Sequence, residues 1–110
     1  MALPAAQVDK GDAIEWLAKR LATPKPGSQH FIYHTIAWQY FPAERQASGR
    51  AMIEAAGAAA TTEAPLAWLA MEADGGSKGA ALTIRLWPGN IRLSLGRVDF
   101  LGQWVDWVDA

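Results

Sequence analysis

Residues 80–95, AALTIRLWPGNIRLSL, predict an antiparallel β-hairpin, and this hairpin decides the fold. Two runs with alternating side chains flank the turn-forming letters WPGN. A loop with an even number of residues sets Leu86 opposite Ile91 and Arg85 opposite Arg92. A three-residue loop would instead place apolar side chains against arginines on both faces. We therefore expect the even loop, with the two arginines side by side on one face of the sheet.

The hairpin extends into a larger sheet in both directions along the chain. The loop at 74–77 is too short for a parallel crossover, so the strand that follows it, Ala80–Trp87, is expected to return antiparallel to the strand before it. The predicted strands are Gln29–Trp38, Pro65–Glu72, Ala80–Trp87, Ile91–Leu95 and a short fifth strand within Gln103–Trp107. Two helices precede the second strand. The pattern is that of one α/β domain over residues 1–110, with a mixed sheet of four to five strands and residues 1–9 as a loose lead-in.

The strand Gln29–Trp38 is apolar on both faces. One face carries Phe31, Tyr33, Thr35 and Ala37, and the other carries Ile32, His34, Ile36 and Trp38. A strand of this kind is typical of an α/β sheet whose two faces are both covered. We therefore expect a central strand with a neighbour on each side.

The first helix begins after Asp12, which with Glu15 forms a capping pattern, and it ends before the breaker-rich segment 23–27. Its apolar face is Ile14, Leu17, Ala18 and Leu21. Trp16 points about 200° away from Ile14, so we expect it to be exposed in the monomer and covered by a partner.

The second helix begins at Pro42, a residue that suits a first helical turn. Its predicted apolar face consists of small side chains and one methionine: Ala43, Ala47, Ala51, Met52 and Ala55. Such a face would let the helix lie close to the sheet. Gly57 falls near the end of this helix.

Composition excludes several function classes. The chain has 10 basic and 11 acidic residues, a net charge of −1, which gives no footprint for nucleic acid or an anionic membrane. It has no cysteine, so disulfides, thiolate metal sites and cysteine nucleophiles are absent. No apolar run reaches the roughly 18 residues of a membrane span, and no signal peptide is recognised. We expect a cytoplasmic protein without a cofactor.

Ligands of open α/β sheets gather outside the carboxyl ends of strands. The candidate ligand site is therefore His34, Trp38, Gln39 and Tyr40, which end the first long strand, with Arg85 and Arg92 as further candidates. His34 could serve acid–base chemistry, but the favoured interpretation is a core histidine with hydrogen-bonded ring nitrogens. His30 and His34 lie about 13 Å apart along a strand, so they cannot chelate one ion, and no metal site is expected.

The arginine pair is unfavourable unless something separates the two charges. Three explanations are open. Glu72 could bridge the guanidinium groups, an anionic ligand could bind between them, or both could splay into solvent, which is the favoured interpretation. No nucleophile elbow, phosphate loop or other catalytic set is present, so no catalytic residue is assigned.

Three short motifs carry a family resemblance: residues 34–40 (HTIAWQY), 64–69 (APLAWL) and 86–89 (LWPG). In this order they resemble the C-terminal part of the DUF2332 proteins, a bacterial family of unknown function, from about Asp12 to Trp107. The resemblance implies that longer members carry a further N-terminal portion. Leu101 stands where many members have a histidine, so no role tied to that histidine is carried over.

The element order also resembles the second half of a Rossmann-like methyltransferase fold, as an analogy of fold only. The Gly-rich turn that holds the cofactor of that fold is missing from the sequence.

Two function classes follow from these observations. The favoured one is a non-catalytic domain that acts through a homodimer or through a missing N-terminal partner half. Its expected interface is Trp16, Ile32 and Trp38, because the first strand is long, apolar and free of Lys, Pro, Asp and Glu. A two-fold pairing of this strand with its mate would protect it, unless the tail at 103–107 folds back over the same edge. The alternative is a small-molecule-binding or enzymatic domain with a site near His34.

Overall fold

The computed structural model describes residues 11–22, 27–76 and 78–107. The predicted lead-in at 1–9 and most of the breaker segment 23–27 lie outside them. The elements are α1 (Ala13–Leu21), β1 (His30–Thr35), a 3₁₀ turn η1 (Trp38–Tyr40), α2 (Ala43–Ala58), β2 (Leu66–Glu72), β3 (Ala80–Trp87), β4 (Ile91–Val98) and β5 (Val105–Trp107).

The strands form one mixed sheet in the order β1-β2-β3-β4-β5. β1 pairs with β2 in parallel, and the remaining neighbours are antiparallel. The predicted α/β class, the antiparallel return of β3 and the fifth strand are confirmed. The even-loop register is also confirmed, with Arg85 opposite Arg92 and Leu86 opposite Ile91. β4 is longer than predicted and continues to Val98, where it pairs with β5.

The core lies between the two helices and one face of the sheet, which we call the helix face. Ile53 of α2 is fully buried there, and Leu17, Leu66, Trp68 and Trp87 pack around it. The Asp12 carboxylate accepts hydrogen bonds from the N–H groups of Ile14 and Glu15, which confirms the predicted start of α1. Burying these large side chains supplies the main stabilisation of the domain.

The prediction for the apolar face of α2 is wrong. Its alanines at 43, 47, 51 and 55 are exposed, and the buried row is Gly49, Ile53 and Gly57. A Cβ on Gly49 would lie 2.6 Å from the Trp38 ring, and one on Gly57 would overlap the Trp87 indole. Glycine therefore lets α2 approach the tryptophans, the role that was expected of alanine.

Two predictions for the first strand are also corrected. β1 ends at Thr35, because Ile36 takes a positive φ of 47° and turns the chain into η1. β1 also lies at an edge of the described sheet and not at its centre, since its only strand neighbour there is β2. The tail strand β5 pairs with β4 at the opposite edge, so it does not cover β1.

The second face of the sheet, here called the outer face, carries no helix of the described part of the chain. The registers place on it Phe31, Tyr33, Thr35, Ala67, Leu69, Met71, Leu82, Ile84, Leu86, Ile91 and Leu93, none of them charged. Phe31 is 53% exposed and Tyr33 68% exposed. The expectation that both faces of β1 are covered is therefore wrong for this structure.

Candidate functional site

The carboxyl ends of the parallel strands β1 and β2 bring together a group that we call the Glu72 cluster: Glu72, His34, Trp68, Trp38 and Gln39. His34 is the last residue but one of β1. Glu72 ends β2 and lies two residues beyond Ala70, the register partner of His34, so both side chains point to the helix face. Trp68 lies two residues before Ala70 on the same face.

His34 uses both of its ring nitrogens inside this cluster. Its Nδ1 lies 2.9 Å from Glu72 Oε2, and its Nε2 accepts the Trp68 Nε1–H at 2.8 Å. Because an indole nitrogen can only donate, Nε2 must hold a lone pair, and Nδ1 must carry the proton and donate the hydrogen bond to Glu72. The ring also stacks on Trp38, with 4.9 Å between centroids. This arrangement leaves neither nitrogen available to a substrate without breaking a bond.

The Glu72 carboxylate holds the turn that ends β1. It accepts hydrogen bonds from the backbone N–H of Ala37 at 2.8 Å and of Gln39 at 3.3 Å, in addition to the hydrogen bond from His34 Nδ1–H. The turn needs such support, because Ile36 is β-branched and strained at positive φ. The Gln39 side chain adds a further link by accepting the N–H of Ala73 at 3.0 Å. The cluster thus positions the backbone of the turn, and its central residue, Glu72, was not among the candidate site residues of the sequence analysis.

Of the other candidate ligand residues, Tyr40, Arg85 and Arg92 do not converge on His34. Tyr40, the last residue of η1, is 73% exposed. Trp38, which stacks on His34, is half-buried, and its Nε1 has no hydrogen-bond partner among the described residues. The Arg85 guanidinium carbon lies 5.8 Å from the centroid of the Trp68 ring, and Arg92 lies one strand further and is exposed.

Bridging of the arginines by Glu72, one of the three open explanations, does not occur, because Glu72 binds His34. The favoured explanation, two solvated side chains, holds for the exposed Arg92 and is wrong for Arg85. The Arg85 side chain is only 13% exposed. Its Nη2 donates to Asn90 Oδ1 at 2.9 Å and lies 3.6 Å from Glu54 Oε2, while its guanidinium covers the Trp87 ring at 4.6 Å. The charge of Arg85 is thus balanced from α2 and by an aromatic face. Glu72 instead binds His34 and the backbone N–H groups of Ala37 and Gln39.

The second feature that could serve a function is the edge of β1 with which no strand of the described residues pairs, here called the free edge. A groove of about 400 Å³ runs between this edge and α1, lined by α1 residues Trp16, Leu17, Arg20 and Leu21 and by residues 29–33. Trp16 is 43% exposed, as predicted, and the Arg20 guanidinium lies 5.1 Å from its ring centroid. Ile32 is half-buried on the helix face beside it, whereas Trp38, the third expected interface residue, packs inside its own chain.

The orientation of the backbone N–H and C=O groups of β1 determines which of them a further strand could bind at this edge. His30 N–H donates to Pro65 O at 3.1 Å and Ile36 N–H to Met71 O at 2.7 Å, so the even-numbered residues of β1 turn toward β2. In a strand, alternate residues direct their N–H and C=O groups to opposite sides. Phe31, Tyr33 and Thr35 therefore present theirs to the free edge.

Residues 11–22, 27–76 and 78–107 contain no group of three or more metal-ligating His, Cys, Asp or Glu side chains. None of the helices in these ranges is long and apolar enough to cross a membrane.

The comparison with protein families gives one result. Residues 2–107 match the family described as "Uncharacterized protein conserved in bacteria (DUF2332)". No curated protein and no solved structure shows significant similarity to the chain. The likeness to the second half of a Rossmann-like methyltransferase therefore rests on element order alone.

Proposed function

The chain belongs to the DUF2332 family of uncharacterized bacterial proteins, and we propose that it is a non-catalytic interaction module that self-associates through the free edge of β1. The observation that carries this proposal is the row of outward N–H and C=O groups at Phe31, Tyr33 and Thr35, on a strand without a charged residue or a proline. Proteins ordinarily protect such an edge with lysine, proline, a bulge or a covering element.

Exposed aromatic surface beside the edge supports the same conclusion. Phe31, Tyr33 and Trp16 are 53%, 68% and 43% exposed. With about 200 Å² for each aromatic side chain, they leave about 330 Å² in contact with water. That area falls within the roughly 300–600 Å² of the largest apolar patch on a typical monomer, a patch that is often functional.

The Glu72 cluster supports a non-catalytic assignment. A general base needs a ring nitrogen within reach of a substrate proton. Here the hydrogen bonds of His34 to Glu72 and Trp68 use both nitrogens within the chain. The lack of cysteine fits a module that works in a reducing cytoplasm.

The experiment removes one outward donor. Tyr33→Pro deletes the Tyr33 N–H, which takes no part in the β1–β2 pairing, and proline is tolerated on an edge strand when its nitrogen faces outward. Tyr33→Thr is the matched control, since it removes the ring but keeps the N–H. Sedimentation velocity from about 1 to 200 µM should show a concentration-dependent dimer for the wild type and Tyr33→Thr, and a monomer for Tyr33→Pro.

Circular dichroism and tryptophan fluorescence check that Tyr33→Pro keeps the monomer fold. Should it fail to fold, Tyr33→Lys provides a second test, because Tyr33 is already 68% exposed and an edge lysine opposes pairing. A wild type that stays monomeric throughout the range would overturn the proposal, and so would equal dissociation constants for wild type and a folded Tyr33→Pro. The first outcome would favour the alternative partner, a different chain that covers the edge and the uncharged outer face together.

A further inference from the structure

We infer that the partner on the β1 edge is a second copy bound antiparallel in a single register, with the molecular two-fold passing through Tyr33. This inference rests on the proposed function and adds to it the alignment of the two strands. Tyr33 pairs with the partner's Tyr33, and Phe31 pairs with the partner's Thr35.

The available hydrogen-bonding groups select this register. In an antiparallel ladder, two residues that both face the partner exchange two N–H···O=C bonds. With the axis at Tyr33, all three outward residues, Phe31, Tyr33 and Thr35, find such a mate. A shift by two residues in either direction leaves one outward residue of each copy beyond the pairing. The centred register therefore satisfies the most backbone groups.

The side chains agree with the same alignment. On the outer face the two Tyr33 rings lie opposite each other with Phe31 diagonal to the partner's ring, and aromatic neighbours of this kind stabilise strand pairs. Phe31 and Tyr33 already lie 6.0 Å apart, centroid to centroid, within one copy. On the helix face Ile32 lies opposite the partner's His34. No residue of β1 places like charges across the axis, because the strand has no Lys, Arg, Asp or Glu.

No strand of the described residues occupies the position of the second strand. The axis stands perpendicular to the sheet, so both helix layers lie on the same side and the two sheets become continuous. The groove of about 400 Å³ beside β1 then receives side chains of the partner's strand, and Trp16 of each copy borders it.

The cysteine-free sequence permits a direct test by disulfide mapping. A hydrogen-bonded antiparallel pair holds its Cα atoms about 5.5 Å apart, within the span of a disulfide. Tyr33→Cys should therefore cross-link to itself under air oxidation with copper–phenanthroline. Phe31→Cys alone and Thr35→Cys alone should not, since each lies about 13 Å along the strand from its own mate. A mixture of those two variants should give the heterodisulfide.

The expected result is cross-linking of Tyr33→Cys about tenfold faster than of either other single variant, with the 31–35 mixture matching it. Self-coupling of Phe31→Cys or Thr35→Cys at the rate of Tyr33→Cys would overturn the register. If sedimentation still reports a dimer that Tyr33→Pro abolishes, the proposed function survives that outcome. A wild type that sediments as a monomer refutes the proposed function first, and the register with it.

Discussion

Glu72→Gln is the substitution that most sharply tests the cluster at the end of β1. It keeps the shape of the side chain and changes one acceptor oxygen into a donor. In the native chain the carboxylate accepts hydrogen bonds from three donors: His34 Nδ1–H and the backbone N–H groups of Ala37 and Gln39. An amide offers one oxygen to the same three donors, so at least one donor must face an NH₂ group.

The cluster cannot adjust by moving the proton on His34. Trp68 only donates, so the His34 Nε2 that accepts its N–H at 2.8 Å must stay unprotonated. His34 Nδ1–H therefore always requires an acceptor at position 72. Giving the glutamine oxygen to His34 leaves the NH₂ group against the Ala37 N–H, and the reverse orientation opposes Nδ1–H.

The expected loss follows from the burial of these groups. The side chains of His34 and Glu72 are only 14% and 15% exposed, so water replaces the lost acceptor poorly. A hydrogen bond to a charged group contributes about 1.5–3 kcal/mol, and a buried donor left unpaired costs a similar amount. We expect Glu72→Gln to lower the free energy of unfolding by about 2–3 kcal/mol, a large share of the 5–15 kcal/mol typical of a domain.

Urea unfolding followed by tryptophan fluorescence measures this loss, at one fixed protein concentration because association would add to the apparent stability. Glu63→Gln is the control, since Glu63 is exposed and its substitution should stay within about 0.5 kcal/mol. Nitrogen NMR of the imidazole should report the Nδ1–H tautomer of His34 in the wild type. A loss for Glu72→Gln no larger than that of the control, or an Nε2–H tautomer, would refute the account of the cluster.

Two further predictions concern packing and pH. Gly57→Ala should destabilise the chain by about 1–3 kcal/mol in urea unfolding, because its Cβ overlaps the Trp87 indole, although alanine gains up to about 1 kcal/mol in helix propensity; a stabilised variant would contradict the close approach of α2. The Arg97 guanidinium, 2.7 Å from Asp74 Oδ2, lowers the pKa of Asp74 from 3.8 to about 2. The stabilisation by this pair is therefore present above pH 3.8 and lost as pH falls through about 2. Arg97→Gln should raise the Asp74 midpoint toward 3.8 in a carboxyl-carbon NMR titration, and an unmoved midpoint would contradict the pairing.

The sequence predicts those parts of the fold that local pattern determines. The hairpin register follows from alternation alone, since only one loop parity keeps Ile84, Leu86 and their partners on one face. The start of α1 follows from Asp12, whose carboxylate caps the next residues. In both cases the deciding groups lie within a few residues of the feature that they determine.

The predictions that failed concern features that depend on contacts between residues far apart in the sequence, which a local hydrophobic pattern does not contain. A hydrophobic pattern counts alanine as apolar and gives glycine no weight, so it assigned the wrong face of α2 to the sheet. The face of α2 that packs on the sheet is determined by the bulk of Trp38 and Trp87, because Gly49 and Gly57 leave room for these two rings. Glu72 was missed because its proximity to His34 depends on the parallel register of β1 and β2. Given that register, the same-face spacing of the two residues would have found the pair.

The end of β1 links the cluster to the free edge. Local propensity favours a strand through Ile36 and beyond, and a strand running to Trp38 would direct a fourth residue, Ala37, toward the partner. The register that uses four outward residues places the two-fold between Tyr33 and Thr35, at His34. Glu72 instead holds the Ala37 N–H and stops the strand at Thr35. Three outward residues remain, and the centre of three is Tyr33. The Glu72 carboxylate of each copy thus determines which residue of β1 lies on the proposed two-fold axis between the two copies.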